Sequence, residues 1–218
     1  MTEPPRRVIV ALLLLTFVTG IVDAASVLGL GRIFAANMTG NVVFLGFALA
    51  GQHAKAAVIA GLNALGSFMA GAVLGGRLSK VITPRSLTLA FGIELLLLGV
   101  ATAVALVDVK VVAPILISLL GLAMGLRNAV VRRLAIPDLT TTVLTLTVTG
   151  LASDSSLAGG SNPRWQRRVA AILVMLLGAL LGATLLSVGM AAVIASATLV
   201  EAIALVLLAR GAEAKAEN

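Results

Sequence analysis

Three observations predict an all-α integral membrane protein with six transmembrane helices, two short re-entrant or broken helices, and a 3+3 inverted-topology repeat. The 218-residue chain is 60% hydrophobic and only 11% charged, with a mean hydropathy of +1.12. Six of its apolar runs are long enough to cross a bilayer. Its two halves carry similar motifs in the same order. A soluble domain has about 25% charged residues, so this chain has too little polar surface to cover a water-soluble sphere.

The runs that reach the ~20 residues a bilayer helix needs lie near 8–29, 56–76, 87–107, 111–126 (continuing to about 131), 169–189 and 190–209. Arg6 and Arg7 before the first run, with Ala24-Ala25-Ser26 after it, imitate a cleavable signal peptide. The region after Val18 recurs later in the chain, where no cleavage could occur, so this run reads as a true span. Two further stretches, 38–51 and 139–152, are too short to cross a hydrocarbon core of about 30 Å. Each opens on a polar cluster: Asn37, Thr39 and Asn41 in the first, Asp138, Thr140, Thr141 and Thr142 in the second.

Basic residues decide whether these two stretches cross. If both do, the 16 basic residues divide 9 against 7 between the sides. If both dip in and return, Arg6, Arg7, Arg77, Lys80, Arg85, Arg127, Arg132, Arg133, Arg164, Arg167, Arg168, Arg210 and Lys215 share the cytoplasmic side. Only Arg32, Lys55 and Lys110 remain outside. The asymmetry favours six spans with both termini cytoplasmic. It also gives the net charge of +7 and the pI near 11.3 a membrane explanation rather than a nucleic-acid one.

The halves match at a spacing slightly over one hundred residues. Gly20-Ile-Val-Asp23 pairs with Gly125-Leu-Arg-Asn128, and the segment from Arg32 to Thr39 pairs with that from Arg133 to Thr140. Gly71/Gly75 pair with Gly178/Gly182, and Glu94 with Glu201. Three spans per half is odd, so the second copy lies inverted, as in many secondary transporters. The implied organisation is one membrane domain. It has a cytoplasmic tail (1–7), a first repeat (8–107), a connecting loop (108–110), a second repeat (111–210) and a cytoplasmic tail (211–218).

The runs TGIVDAASVLGLGRIFAANMTGNVVFLGFALAG at 19–51 and RNAVVRRLAIPDLTTTVLTLTVTGLASD at 127–154 resemble the signature of the YoaK-like family of bacterial membrane proteins. The resemblance covers essentially the whole chain. It implies a six-span bacterial inner-membrane protein and carries no activity with it.

Irregular backbone at membrane depth needs shelter in protein or a water-filled cavity. Helices starting at Asn37–Thr39 and Asp138–Thr140 would present uncapped N–H groups and positive dipole ends to a small solute. The same residues are also ordinary N-caps. Asn37, Thr39, Asn41, Asn128, Asp138, Thr140, Thr141 and Thr142 are therefore the candidate substrate-binding residues. Acids inside a membrane are functional candidates by default, which selects Asp23, Glu94 and Glu201 for ion coupling. Arg32 and Arg133 are candidate charge partners, with Arg32 placed to pair with Asp23. Asn63 and Ser67 could line the same cavity or join helices.

Gly71/Gly75 and Gly178/Gly182 permit close helix crossing and could form a homodimer face. Trp165 among arginines reads as an interfacial anchor, and His53 as a solvated loop residue. No cysteine is present and His53 is the single histidine, so no metal site is expected. No nucleotide or hydrolase motif is found, so neither a cofactor nor an enzyme activity is expected. The sequence thus predicts a secondary transporter that moves a small polar or anionic solute by alternating access, with proton coupling. Two alternatives share these features. One is a channel constricted by the re-entrant tips; the other is a structural or accessory membrane protein.

Overall fold

Apolar runs that bury one stripe and leave the rest for lipid become helices along nearly the whole chain. A computed structural model describes residues 4–52 and 55–213; His53 and Lys215 lie outside the described residues. Six long helices match the six expected spans: α1 (Arg6–Gly29), α3 (Lys55–Leu78), α4 (Pro84–Val104), α5 (Val109–Leu134), α7 (Trp165–Leu185) and α8 (Met190–Glu213). Between them lie two ten-residue helices, α2 (Met38–Phe47) and α6 (Leu144–Ser153). A π-helical turn over Ala48–Gln52 follows α2. At 1.5 Å per residue each short helix is about 15 Å long, half a hydrocarbon core.

Local chemistry sets several boundaries. Thr83 caps α4 through a reciprocal pair with Ser86, and Pro84 occupies the first helical position. Asp108 accepts from the Lys110 amide to start α5. That helix ends at Ala135 in the left-handed region, φ 51°. The second short helix departs from expectation, starting at Leu144 rather than at Asp138–Thr140. Ala135, Asp138 and Thr141 all take positive φ, so residues 135–143 fold as a turning loop that no helix can begin in.

Two helices form the centre. Two-thirds of the apolar window of α1 and half that of α5 are buried, against 17% for α3 and 22% for α7. The outer pair crosses the inner pair through glycines, and the two crossings are built alike. A Cβ on Gly71 would meet the Leu122 carbonyl, on Gly75 that of Leu126, and on Gly125 that of Phe68. On the other side, Gly178 faces the Phe17 carbonyl, Gly182 that of Ile21, and Gly20 that of Met175. Adding 105 to each α1 position gives its α5 counterpart, and adding 107 to each α3 position gives its α7 counterpart.

These glycines are buried inside the chain. The homodimer face expected at Gly71/Gly75 or Gly178/Gly182 is thus already filled, by α5 and α1. Asn63 likewise joins helices, whereas the Ser67 hydroxyl donates within its own helix, to the Asn63 carbonyl at 2.7 Å and that of Ala64 at 3.2 Å. Asn63 Nδ2 donates to the Pro114 carbonyl at 2.8 Å, and Ser118 donates to Asn63 Oδ1 at 2.8 Å.

The crossings predict opposite outcomes for two kinds of Gly→Ala variant. Gly71→Ala, Gly125→Ala and Gly178→Ala should each cost about 1–3 kcal/mol through backbone collision. Gly66→Ala, whose Cβ meets nothing within 4 Å, should be neutral or gain up to about 1 kcal/mol. Thermal unfolding in detergent compares the two sets directly.

Candidate functional site

The loops that precede the short helices run through the bundle, so their amides need internal partners. In the first loop the side chains of α1 supply them. Asp23 Oδ1 accepts from the amides of Ala35 (3.1 Å) and Ala36 (2.9 Å), and Oδ2 accepts from Asn37 Nδ2. Asn41 closes the same loop, accepting from the Phe34 amide at 2.8 Å and donating to the Phe34 carbonyl at 2.7 Å. In the second loop Asn128 takes the position of Asp23. Its Oδ1 accepts from the Thr142 hydroxyl at 2.5 Å, and its Nδ2 donates to the Met124 carbonyl at 2.7 Å.

Held this way, the starts of α2 and α6 meet at a cavity of about 350 Å³. Asn37, Met38 and Thr39 line it from one short helix, and Thr142, Val143, Leu144 and Thr145 from the other. Asn128, Phe68 and Met175 complete the wall with Ala36. Neither short helix has a side-chain cap on its first amides. The wall offers amide and hydroxyl groups, two helix N-termini, an aromatic ring and a thioether. None of the described residues that line it is charged.

Of the expected binding residues, Asn37, Thr39, Asn128 and Thr142 reach this cavity. Asn41, on α2, is fully buried against the Phe34 backbone of the preceding loop, and Thr140 bonds locally around Val143. Thr141 is buried with its hydroxyl unpartnered. Asp138 lies away from the tip because the helix starts six residues later. Its Oδ2 accepts from Arg164 at 2.6 Å and its Oδ1 from Arg168 at 2.8 Å. Thr145, Phe68 and Met175 are lining residues that the sequence alone does not single out. A polar residue in the first turn of α6 would mark Thr145 once the helix start was known.

The charge partners also differ from expectation. Arg32 is exposed and makes no ion pair among the described residues, because Asp23 turns inward to the loop amides. Arg133 donates to the Ser79 carbonyl at 3.1 Å and meets no acid among the described residues. Glu94 and Glu201 instead converge on Arg127, the one basic residue of the expected cytoplasmic set, among the described residues, that has no exposure at all. Arg127 Nε lies 2.6 Å from Glu94 Oε1, and its Nη2 lies 2.5 Å from that atom and 2.6 Å from Glu201 Oε2. Its Nη1 donates to the Leu15 carbonyl at 2.7 Å and to Thr19 Oγ1 at 3.1 Å. Among the described residues no group of three or more His, Cys, Asp or Glu side chains is placed to hold a metal ion.

A second ion cluster pins α6 and its loop to the start of α7. Arg168, 5% exposed, joins Asp138, Asp154 Oδ2 at 2.8 Å and the Gly150 carbonyl. Partial burial opposes ionisation of Asp138, but hydrogen bonds from Arg164 and then Arg168 outweigh it and hold the carboxyl below its ordinary 3.8. A carboxyl lowered on folding adds stability above its unfolded value and loses it as pH falls through its folded value. Asp138→Asn should therefore unfold at lower temperature than wild type at pH 7. The two melting curves should converge as the pH drops below about 3.8.

A family model described as "Protein of unknown function (DUF1275)" matches residues 11–207. The UPF0700 transmembrane protein YoaK of Bacillus subtilis (strain 168) is 35% identical over 155 residues, covering 69% of this chain and 68% of that protein. No solved structure matches. The cavity between two short helices thus sits in a multi-pass membrane protein that belongs to the DUF1275 family.

Proposed function

We propose that this protein is a secondary carrier, not an enzyme, moving a small polar or anionic solute across the bacterial inner membrane by alternating access with proton coupling. The observation that carries this reading is the cavity at which two uncapped short-helix N-termini meet. A helix N-terminus presents free amides and about half a positive charge. Two of them facing one cavity suit a single negative charge better than a cation. Asn37, Thr39, Asn128, Thr142 and Thr145 supply hydrogen bonds, and Phe68 and Met175 accept an apolar portion of the solute. Asp23, Glu94 and Glu201 are the coupling carboxylates.

An inverted repeat underlies the mechanism in this reading. The matched glycine crossings support it, with α1 standing to α7 as α5 stands to α3. The relation of Asp23 to Asn37 and of Asn128 to Thr142 supports it as well. Re-entry of both short helices would leave both termini in the cytoplasm. In this cysteine-free chain, Cys placed at position 107 should then label from outside and Cys at position 157 from inside. Labelling of both from one side would sink the topology.

Binding is tested by thermal unfolding of purified protein with chloride, nitrate, formate, acetate, lactate and, as a neutral control, glycerol. At 100 times its Kd a ligand stabilises by about 2.7 kcal/mol. At least one monovalent anion should raise the melting temperature, and Asn37→Ala and Thr142→Ala should remove the increase. Counterflow of that anion in proteoliposomes would establish the carrier, whereas unitary currents would establish a channel. Absence of any ligand effect, with alanine variants changing stability alone, would leave a structural protein.

A further inference from the structure

At the centre of the bundle three ionisable side chains have no solvent exposure, and their charges do not sum to zero. Arg127 commits its Nε, Nη1 and Nη2 groups to Glu94 Oε1, Glu201 Oε2, the Leu15 carbonyl and Thr19 Oγ1. Its five N–H donors are then spent. The second oxygen of each acid, Glu94 Oε2 and Glu201 Oε1, is buried without a hydrogen-bond partner. Glu94 Oε1 and Glu201 Oε2 both lie against Arg127 Nη2, at 2.5 and 2.6 Å, so the two carboxyl groups are held side by side. Two carboxylates with one guanidinium leave a net negative charge in a region where an uncompensated charge is heavily penalised. One proton on either orphan oxygen cancels that charge and turns an unpartnered acceptor into a donor.

We propose that Glu94 and Glu201 form one proton-binding site, a carboxylic acid and a carboxylate sharing a single exchangeable proton, with Arg127 as the fixed counter-charge. On binding, a proton from water forms an O–H bond to Glu94 Oε2 or Glu201 Oε1; on release it returns to water, and no other bond changes. The proposal rests on the coupling part of the transport reading and assigns the proton to the glutamate pair rather than to Asp23. Both oxygens of Asp23 already hold donors.

The charged groups around the pair are few. From α1 comes Asp23, one turn beyond Thr19, with Arg6 and Arg7 at the helix start. From α5 come Arg127 and, at the ends, Lys110, Arg132 and Arg133. Helix α4 adds Arg85 at its start and α8 adds Arg210 near its end. The outer helices carry charge only at their ends, Lys55 and Arg77 on α3 and Arg167 and Arg168 on α7. Among the described residues Arg127 is therefore the one cation that contacts the pair, and it cannot neutralise both acids.

Infrared spectroscopy of the purified protein in lipid nanodiscs tests this through the stretching band of a protonated carboxyl group, which shifts in D2O. Wild type at neutral pH should show the band. Glu94→Gln and Glu201→Gln should each abolish it, since Arg127 alone then balances the remaining carboxylate, and Asp23→Asn should retain it. An absent wild-type band, a band surviving either glutamine variant, or a band removed by Asp23→Asn would each overturn the proposal.

Thermal unfolding gives an independent check, because a carboxamide can donate to the orphan oxygen. Each single glutamine variant should melt within about 5 °C of wild type. The double variant, which strands Arg127, should fall by more than twice the sum of the single shifts. Single variants as unstable as the double would overturn the shared proton. No solute is added in either measurement, so failure of transport and failure of this site are read separately.

Discussion

Burial of Arg127 constrains the rest of the bundle. A guanidinium with no solvent exposure is tolerable only when every donor has a partner and the charge is answered nearby. Those partners come from three other helices: Leu15 and Thr19 on α1, Glu94 on α4 and Glu201 on α8. The register of four helices is thereby fixed at one level, because sliding any of them by a turn would strand a charge. Apolar packing alone is weakly directional, and between lipid-bathed helices it gives little preference for one register over another. Glycine crossings set how closely α3 and α7 approach, and the ion triad sets where along their length the central helices stop.

Much of the architecture is legible in the sequence because hydropathy and length answer the question a bilayer asks. The six spans, the two stretches too short to cross and the paired glycines all follow from spacing. What spacing does not reveal is the left-handed backbone between Ala135 and Thr141. The polar run at 138–142 resembles a helix start, and only the turning loop moves that start to Leu144. The same displacement takes Asp138 from the cavity to Arg164 and Arg168. Arg127 was hidden for a different reason. Counting basic residues by side treats each one as a surface charge, whereas two acids in mid-span require a cation between them. Glu94 and Glu201 in the sequence already called for that partner.

Asymmetry in the site lies in the residues that break the correspondence between the halves. Val22 occupies the position matching Arg127, and Asp23 the position matching Asn128. One cation near the middle of the bundle can reach both glutamates, so the second half supplies it and the first half needs none. The outer supports differ as well. Arg168 ties α6 to α7 through two carboxylates and a carbonyl. The corresponding position on α3 is Gly61, where only Leu45 packs nearby. One short helix is held by ion pairs and the other by apolar contact. The free energies of releasing them therefore respond differently to pH and salt.

Contiguity between the cavity and the ion triad follows from helix geometry. On α5, Arg127 and Asn128 are adjacent residues, one facing the glutamates and the other lining the cavity. On α1, Thr19 and Asp23 are one turn apart, one bonded to Arg127 and the other to Asn37 at the cavity wall. A helix is stiff over a single turn, and packed interiors switch between discrete arrangements rather than deform smoothly. Any movement of α1 against α5 that reshapes the cavity must also move the donors around Arg127. The reverse holds with equal force, because a charge change in the triad alters the contacts that hold α1 and α5 in register. Reciprocal coupling of this kind needs two sites biasing one two-state element; in the proposed transport reading that element is the α1–α5 contact, bridged by Arg127 to Leu15 and Thr19.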